Sequence, residues 1–586
     1  MTDIQSLIID HIDIWTSSIK TKSTTGRGSS KKLDLYGIKK LRELILQLAV
    51  MGKLVPQDPN DEPASVLLEK IAQEKERLIK EKKIKKQKVL AEVGEDEKSF
   101  DIPIHWEWVR LAQVCTKLTD GFHHTPKKYM DGFMYVSPKN IKNGTLDWDS
   151  CDYVCEEDYR YLQRKITPVK GDILVANRGT VGVPVIVDRE EFCFQNIAII
   201  GFNQNYVCSK YVYYYLLSKR ESIINHFVNG GIQPMLSNKM LSTLDFVIPP
   251  FQEQKRIVAK VDELMALCDD LENQTENSID AHKTLVETLL STLTNSQSHQ
   301  EFTQNWTRIS DHFHTLFTTE HSIDQLKKTI LQLAVMGKLV PQNPTDEPAS
   351  VLLEKIALEK ERLIKEKKIK KQKALPEISE DEKPFDLPVG WSFSYLQDLC
   401  SLITDGTHQT PKYTEVGRPF VSAQCVKPFK FIPSKCRFIS EEHYRGYIKN
   451  RKPEQNDILL SRVGAGIGEA AIIDTDLEFA IYVSTGLLKP IKEHILPSYL
   501  VLWLNSPVGR GYSKRNTLGI GVSQGNLNLT LIRQFIVSIP PIQEQNKVVI
   551  KVDELMVLCE QLKSNLIQVK ETKLILTDTI VDQVAS

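Results

Sequence analysis

"LQLAVMGKLVPQ" occupies Leu46–Gln57, and the same twelve residues return at Leu331–Gln342, 285 positions later. The repeat extends outward. Ile45–Lys88 and Ile330–Lys373 differ only at Asp58/Asn343, Asn60/Thr345 and Gln73/Leu358. Each copy reads as a helical hairpin. Ile38, Leu41, Ile45 and Leu48 share one helical face ending at Gly52, a C-terminal cap; Ile323, Leu326, Ile330, Leu333 and Gly337 repeat the arrangement. "PQDPNDEP" is a turn, and Pro63 lies in the first turn of a second helix. That helix starts apolar (Val66, Leu67, Ile71) and runs into "EKERLIKEKKIKKQK" (74–88, and again 359–373). This basic part reads either as a solvated helix with i,i+4 Glu/Lys pairs or as an arm that docks on a partner or on DNA.

A second repeat closes each half: "IPPFQEQKRIVAKVDELMALC" from Ile248 and "IPPIQEQNKVVIKVDELMVLC" from Ile539. The proline pair should end a strand and open a helix. Ile257, Val261, Leu264, Cys268 and Leu271 follow 4-3-4-3 spacing, as do Val548, Val552, Leu555, Cys559, Leu562, Leu566 and Val569, and both sets read as coiled-coil seams. A first helix continuous to Leu289 would be about 60 Å long, with its seam weakened at Thr275, Ser278 and His282. The polar stretch Leu293–Ser310 reads as a bridge between halves. Two such halves most simply pack about a pseudo-twofold axis with their long helices antiparallel.

Between the repeats lie two divergent regions, about 101–247 and 386–538, whose landmarks still align. Cys115 matches Cys400. "LTDGFHHTPKK" from Leu118 matches "ITDGTHQTPKY" from Ile403, and "GDILVANRGTVG" from Gly171 matches "NDILLSRVGAGIG" from Asn456. "GGIQPMLS" from Gly230 is the counterpart of "GIGVSQGNL" from Gly519. With β-rich runs and helical patterns at Lys210–Ser218 and Pro497–Asn505, these are α+β domains with glycine-rich loops. The expected layout is an N-terminal helical region (1–100), a first variable domain (101–250), a central helical region (251–385), a second variable domain (386–541) and a C-terminal helix (542–586).

Composition narrows the function. Net charge is zero, which excludes a uniformly basic coat but leaves local patches open; Arg110–Asp245 is itself near neutral. "MTDIQSLIIDHIDIW" carries acids and no basic n-region, so it does not read as a secretory signal, and no run of about 18 apolar residues is present. The ten cysteines include no CxxC pair; Cys151 and Cys155 are the closest, and reduced thiols in a cytoplasmic protein are expected. "GAGIGEA" at Gly464 imitates a cofactor loop, but its counterpart "RGTVGVPV" lacks the spacing. No NPPF/Y tetrapeptide, phosphate-binding GxxxxGK[ST] or PD…ExK set is found, so the chain carries no evident catalytic engine. Asp120, His123 and His124 could suggest metal or acid–base chemistry, but the second copy keeps only Asp405 and His408, with Gln409 in the third place; two ligands are too few. A turn held by Asp and Thr side chains, or a loop touching DNA, are the other readings.

This layout resembles the specificity subunit of type I restriction–modification enzymes, across nearly the whole chain. The resemblance rests on two divergent regions, each closed by "IPP[FI]QEQ" and a helix, on duplicated hairpins. It implies that each variable region is a target-recognition domain reading half of a bipartite site on double-stranded DNA. It implies that the repeated helices act as a spacer and hold two methyltransferase subunits, which ATP-dependent restriction subunits join. S-adenosylmethionine, ATP and Mg²⁺ then belong to those partners, with no cofactor or metal in this chain. The half-sites would lie about one helical turn, ~34 Å, apart or somewhat less. The candidate DNA contacts are Asp120, Gly121, His123, Thr125, Lys127, Arg178 and Gln233 in the first domain, with Lys128 as a further candidate base. In the second they are Asp405, Gly406, His408, Thr410, Lys412, Arg462 and Gln524. Arg can fork onto guanine and Gln can pair with adenine. Val261, Leu264, Val552 and Leu555 are candidates for partner docking or pure helix seam. A stand-alone DNA methyltransferase and a coiled-coil scaffold are the rival readings.

Overall fold

The computed structural model describes residues 4–22, 32–86, 89–122, 125–142, 144–164, 166–177, 181–227, 236–518 and 525–585. They form two compact units: Met1–Ser278 with Val569–Ser586, and Ile279–Gln568. The same components recur in both.

In the first unit the hairpin helix Tyr36–Val50 buries Ile38, Leu41, Leu44, Ile45 and Leu48. Gly52 (φ +72°) ends it, and the Lys53 N–H donates to the Leu48 carbonyl at 3.0 Å, a left-handed C-terminal cap. A Cβ on Gly52 would also collide with the ring of Pro103. Gly337 (φ +70°), Lys338 and Pro388 repeat this after Glu320–Val335. The second hairpin helices, Ala64–Lys80 and Ala349–Lys365, end about half-way through the basic run. Lys82 and Lys367 adopt left-handed backbone there, so the expected continuous basic helix is interrupted. Each of these helices grips its own variable domain by one lysine. Lys75 Nζ donates to the Ala112 carbonyl at 2.9 Å, and Lys360 Nζ to that of Gln397 at 2.8 Å.

The repeated "QEQ" ties three components together. In the first unit Gln57 and the Trp106 indole donate to the buried carboxylate of Glu253 at 3.1 and 2.9 Å. Gln254 donates to the Pro249 carbonyl and accepts the Cys208 N–H at the start of the Ser209–Ser218 helix. In the second unit Gln342 donates to Glu544, while Gln545 donates to Pro540 and accepts from Leu496. Hairpin, variable domain and long helix thus meet at one buried polar junction, where the glutamate and the glutamines answer buried partners.

The long helices span Phe251–Thr294 and Ile542–Ala585, 44 residues each. In the first unit Arg42 pairs with Asp269 and Glu272 at 2.6 Å, so Tyr36–Val50 runs antiparallel to Phe251–Ser278. Tyr36 donates to Asp578 at 2.7 Å and Lys53 to the Ala585 carbonyl at 3.2 Å, so the same helix runs parallel to residues 569–585. The second unit is built alike: Lys327 pairs with Glu560 and Lys563 with Asp324, while His321 faces Glu287 and Lys338 Nζ reaches the Thr294 carbonyl. Within each unit the two long-helix segments therefore run in opposite directions. Ile257, Val261, Leu264, Cys268, Leu271, Val548, Val552 and Cys559 are buried as the seam requires, and Leu555 is half-buried. Val569, expected in the seam, is 51% exposed. Ser278 is exposed, and burial resumes at Val286, Leu290 and Leu293. Both interruptions fall where a long helix passes from one unit to the other. Part of the expected polar bridge is itself a helix, His299–Asp311, capped by Ser298, whose hydroxyl accepts the Glu301 N–H.

Each variable domain begins and ends in one antiparallel strand pair, Glu107–Arg110 with Asp245–Ile248 and Ser392–Tyr395 with Ile536–Ile539. In the first domain a four-stranded antiparallel sheet follows the order Pro184–Ile186, Ile173–Ala176, Ile197–Gly201, Lys117–Asp120. A three-stranded sheet packs with it: Phe192–Phe194, Phe133–Val136, Asp152–Val154. The second domain repeats both sheets: Ala470–Ile472, Ile458–Ser461, Thr485–Pro490, Cys400–Asp405, and Ala480–Ile481, Arg418–Val421, Arg437–Ile439.

Candidate nucleic-acid interface

The "TDG…TP" segment leaves the edge strand of the four-stranded sheet and runs along the three-stranded one. Isolated parallel bridges hold it there: Phe122 with Gln195, and Thr407 with Tyr482. The glycine is required by close approach, since a Cβ on Gly121 would overlap the Phe194 carbonyl and one on Gly406 that of Ile481. The threonine ties the loop down further on. Gln195 donates to Thr125 Oγ1 at 3.1 Å and in turn accepts the Tyr135 hydroxyl; Thr410 Oγ1 and the Tyr482 hydroxyl are 3.0 Å apart.

The aspartate binds the residue that follows the "DIL" strand. In the first domain the Asn177 amide donates to Asp120 at 2.7 Å. In the second the Arg462 guanidinium pairs with Asp405, and also donates to the carbonyls of Leu527 at 2.9 Å and Val483 at 3.0 Å. Asp405 and Arg462 are 6% and 5% exposed. Strand register sets Val175 opposite Pro184 and Leu460 opposite Ala470, which makes Asn177, not Arg178, the counterpart of Arg462. The Leu236 and Leu527 N–H groups donate to the carbonyls of these two residues.

Four residues expected on the DNA surface are thereby corrected. Gly121, Asp405, Gly406 and Arg462 are buried at the crossing point of the two sheets, where they fix the loop instead of presenting it; every guanidinium direction of Arg462 that the structure assigns ends on protein. Asp120 is half-buried and held by Asn177. Thr125, Lys127, His408, Thr410 and Lys412 are exposed on the loop as expected, with His408 Nε2 3.3 Å from Asp405. His123, Arg178, Gln233 and Gln524 lie outside the described residues. Lys128 is exposed but, together with Lys139, pairs with Asp152 at 2.9 and 2.7 Å. The "DIL" aspartates are scaffold too. Burial raises the Asp172 carboxyl, Lys117 pulling the other way, and Asp457 holds Lys489 and Lys492 at 2.6 and 3.0 Å. Cys115 and Cys400 are buried, their thiols pushed up to about 12 by desolvation. The "GAGIGEA" loop is the hairpin turn between Ile458–Ser461 and Ala470–Ile472, and a strand, not a helix, follows it.

Sequence reasoning passed over the aromatic residues beside the loop. Tyr129, Met130 and Tyr161 are exposed in the first domain. In the second, Tyr413 is exposed with the Arg437 guanidinium 4.5 Å above its ring. A basic loop flanked by flat apolar groups can follow a phosphate backbone and touch base edges. The only sequence signal for Tyr129, Met130 and Tyr413 was their position just after "TPK"; Tyr161, far along the chain, carried none.

The family profile described as type I restriction modification DNA specificity domain matches residues 103–281 and again 388–571. The chain belongs to this family of type I restriction specificity proteins. It is 39% identical to the EcoAI type I restriction enzyme specificity subunit of Escherichia coli and 38% identical to the EcoEI specificity subunit, covering 99% of both chains in each comparison. Among solved structures it is similar to the HsdS subunit from Thermoanaerobacter tengcongensis, with 17% identity, 83% of this chain and 98% of that chain covered, and a TM-score of 0.42. The two specificity domains are the variable domains together with part of the long helices. Among the described residues no helix is long and apolar enough to cross a membrane.

Proposed function

We propose that the two specificity domains each read one half of a bipartite site on double-stranded DNA. The loops Gly121–Lys128 and Gly406–Lys412 present the base- and phosphate-contacting side chains, with Thr125, Lys127, His408, Thr410 and Lys412 at the surface. The duplicated hairpins and long helices hold two methyltransferase subunits, and ATP-dependent restriction subunits complete the assembly in the cytoplasm. The chain itself performs no chemistry; S-adenosylmethionine, ATP and Mg²⁺ serve the partner subunits. One observation carries this reading. The supports are duplicated nearly verbatim, down to the Glu253 and Glu544 junctions, while the loops they carry differ. Identical handles suit identical partners, and unlike loops suit unlike half-sites.

Exchanging residues 388–538 for the matching domain of another family member tests it. In the complex with methyltransferase, mapping of methylated sites should show one half-site replaced and the other kept. A change in both halves would refute the division of labour.

A further inference from the structure

The two specificity domains carry opposite charges at one matched place. In the three-stranded sheets, Tyr135 lies opposite Asp152, and Phe420 lies opposite Arg437. The isolated bridges agree. Tyr129 meets Tyr153, the residue after Asp152, and Thr414 meets Phe438, the residue after Arg437. Asp152 and Arg437 are therefore counterparts, each on an outer strand of its sheet. Lys128 and Tyr413, one residue before the bridged loop positions, are counterparts too.

The first domain closes this place. Lys139 and Lys128 both end on Asp152 and hold its carboxyl below the usual aspartate range. The second domain leaves it open. Arg437 is exposed, and its side chain has no ion pair and no hydrogen bond among the described residues. Glu415, which the Thr414 bridge sets opposite Arg437, is exposed and forms no ion pair with it. What holds Arg437 is a ring: its guanidinium carbon lies 4.5 Å from the Tyr413 centroid. Tyr413 in turn rests on Phe420, with ring centroids 6.3 Å apart, and Phe420 is buried. Stacking fixes the plane of the guanidinium while using none of its five N–H donors. Lys412, next to Tyr413, and Lys435, two residues before Arg437, are exposed as well.

We propose that Arg437, oriented by Tyr413, is a specificity-determining residue that forks onto one guanine in the half-site of the second domain. The proposal rests on the half-site reading and extends it from the loop Gly406–Lys412 to the outer strand Arg437–Ile439. A guanidinium with a fixed plane and free donors fits the O6 and N7 acceptors of guanine in the major groove. Phosphate would accept the same donors, but it is alike in every sequence. A backbone grip would call for like charge in both domains, and the first domain has a carboxylate there, answered by its own lysines. The residue that differs between two matched frames meets the part of DNA that differs between half-sites.

The test uses the full chain in complex with methyltransferase and a duplex library randomised in both half-sites. Arg437→Ala should lower the preference for guanine at one position of one half-site about tenfold to a hundredfold. The other half-site should stay as it is, and the melting curve should show an intact fold, since the side chain has no hydrogen bond within the protein to lose. Tyr413→Ala should weaken the same preference, and Tyr413→Phe, which keeps the ring, should restore it; a ring that only supported the sheet would not shift a single base position. An unchanged sequence profile in Arg437→Ala overturns the proposal. So does relaxation in both half-sites, or a loss spread evenly over all sequences with a salt slope of binding lower by about one, the mark of a phosphate contact. Exchange of residues 388–538 tests the half-site reading apart. If that exchange replaces one half-site while Arg437→Ala changes nothing, the arginine alone is removed; if it changes both halves, the reading falls and the proposal with it.

Discussion

Asp405 and Arg462 show what a single position does in this molecule. Their pair is sealed from water, and the guanidinium has no further acceptor to gain. Arg462→Ala would strand a buried carboxylate and is expected to cost about 3–5 kcal/mol, whereas Asn177→Ala, which removes one neutral donor in the other domain, should cost about 1–2 kcal/mol. Chemical denaturation of the two variants measures the difference. Glu253 sets a second expectation. Burial raises its carboxyl, opposed by the Trp106 and Gln57 donors. With the folded value raised, the folded state binds this proton more tightly, so its contribution to stability is full below the unfolded value and lost as pH rises through the folded one. Glu253→Gln should flatten that part of the stability–pH curve, while Glu253→Ala should destabilise at every pH. The place of the TDG loop was legible from sequence, but the burial of its aspartate and arginine was not. Arginine in a glycine-rich stretch looks the same whether it faces solvent or a carboxylate 57 residues away, and only strand register tells them apart.

At the scale of elements, the long helices obey a simple spacing rule until they change surroundings. The 4-3-4-3 pattern located Val261 and Leu264 correctly because their neighbours lie on one hairpin helix in one unit. It failed at Val569, where the helix enters the other unit and presents a different face. Val261→Ala should therefore destabilise by about 1–3 kcal/mol, and Val569→Ala by less than about 0.5 kcal/mol, both read from unfolding midpoints. The hairpins were legible for a related reason: Gly52 and Gly337 had to stop their helices, and left-handed backbone beside a proline ring leaves no alternative. The end of the second hairpin helix at Lys80 was not legible, because lysines continue a helix as readily as they leave one.

For the whole molecule, the family's architecture was apparent from the duplicated blocks alone, since a repeat of this length admits few layouts. If the helices fix the unread interval between half-sites, inserting two helical turns after Cys268 should lengthen that interval in methylation mapping, and unchanged spacing would remove the ruler idea. The division of the long helices has a further consequence during synthesis. Residues 569–585 complete the unit that contains residues 4–278, through Ser18 with Thr577 and Tyr36 with Asp578. On the ribosome, residues 4–278 must therefore wait, their flank open, until residues 569–585 emerge from the exit tunnel. A messenger truncated before those codons would yield a protein damaged in the unit that holds residues 4–278.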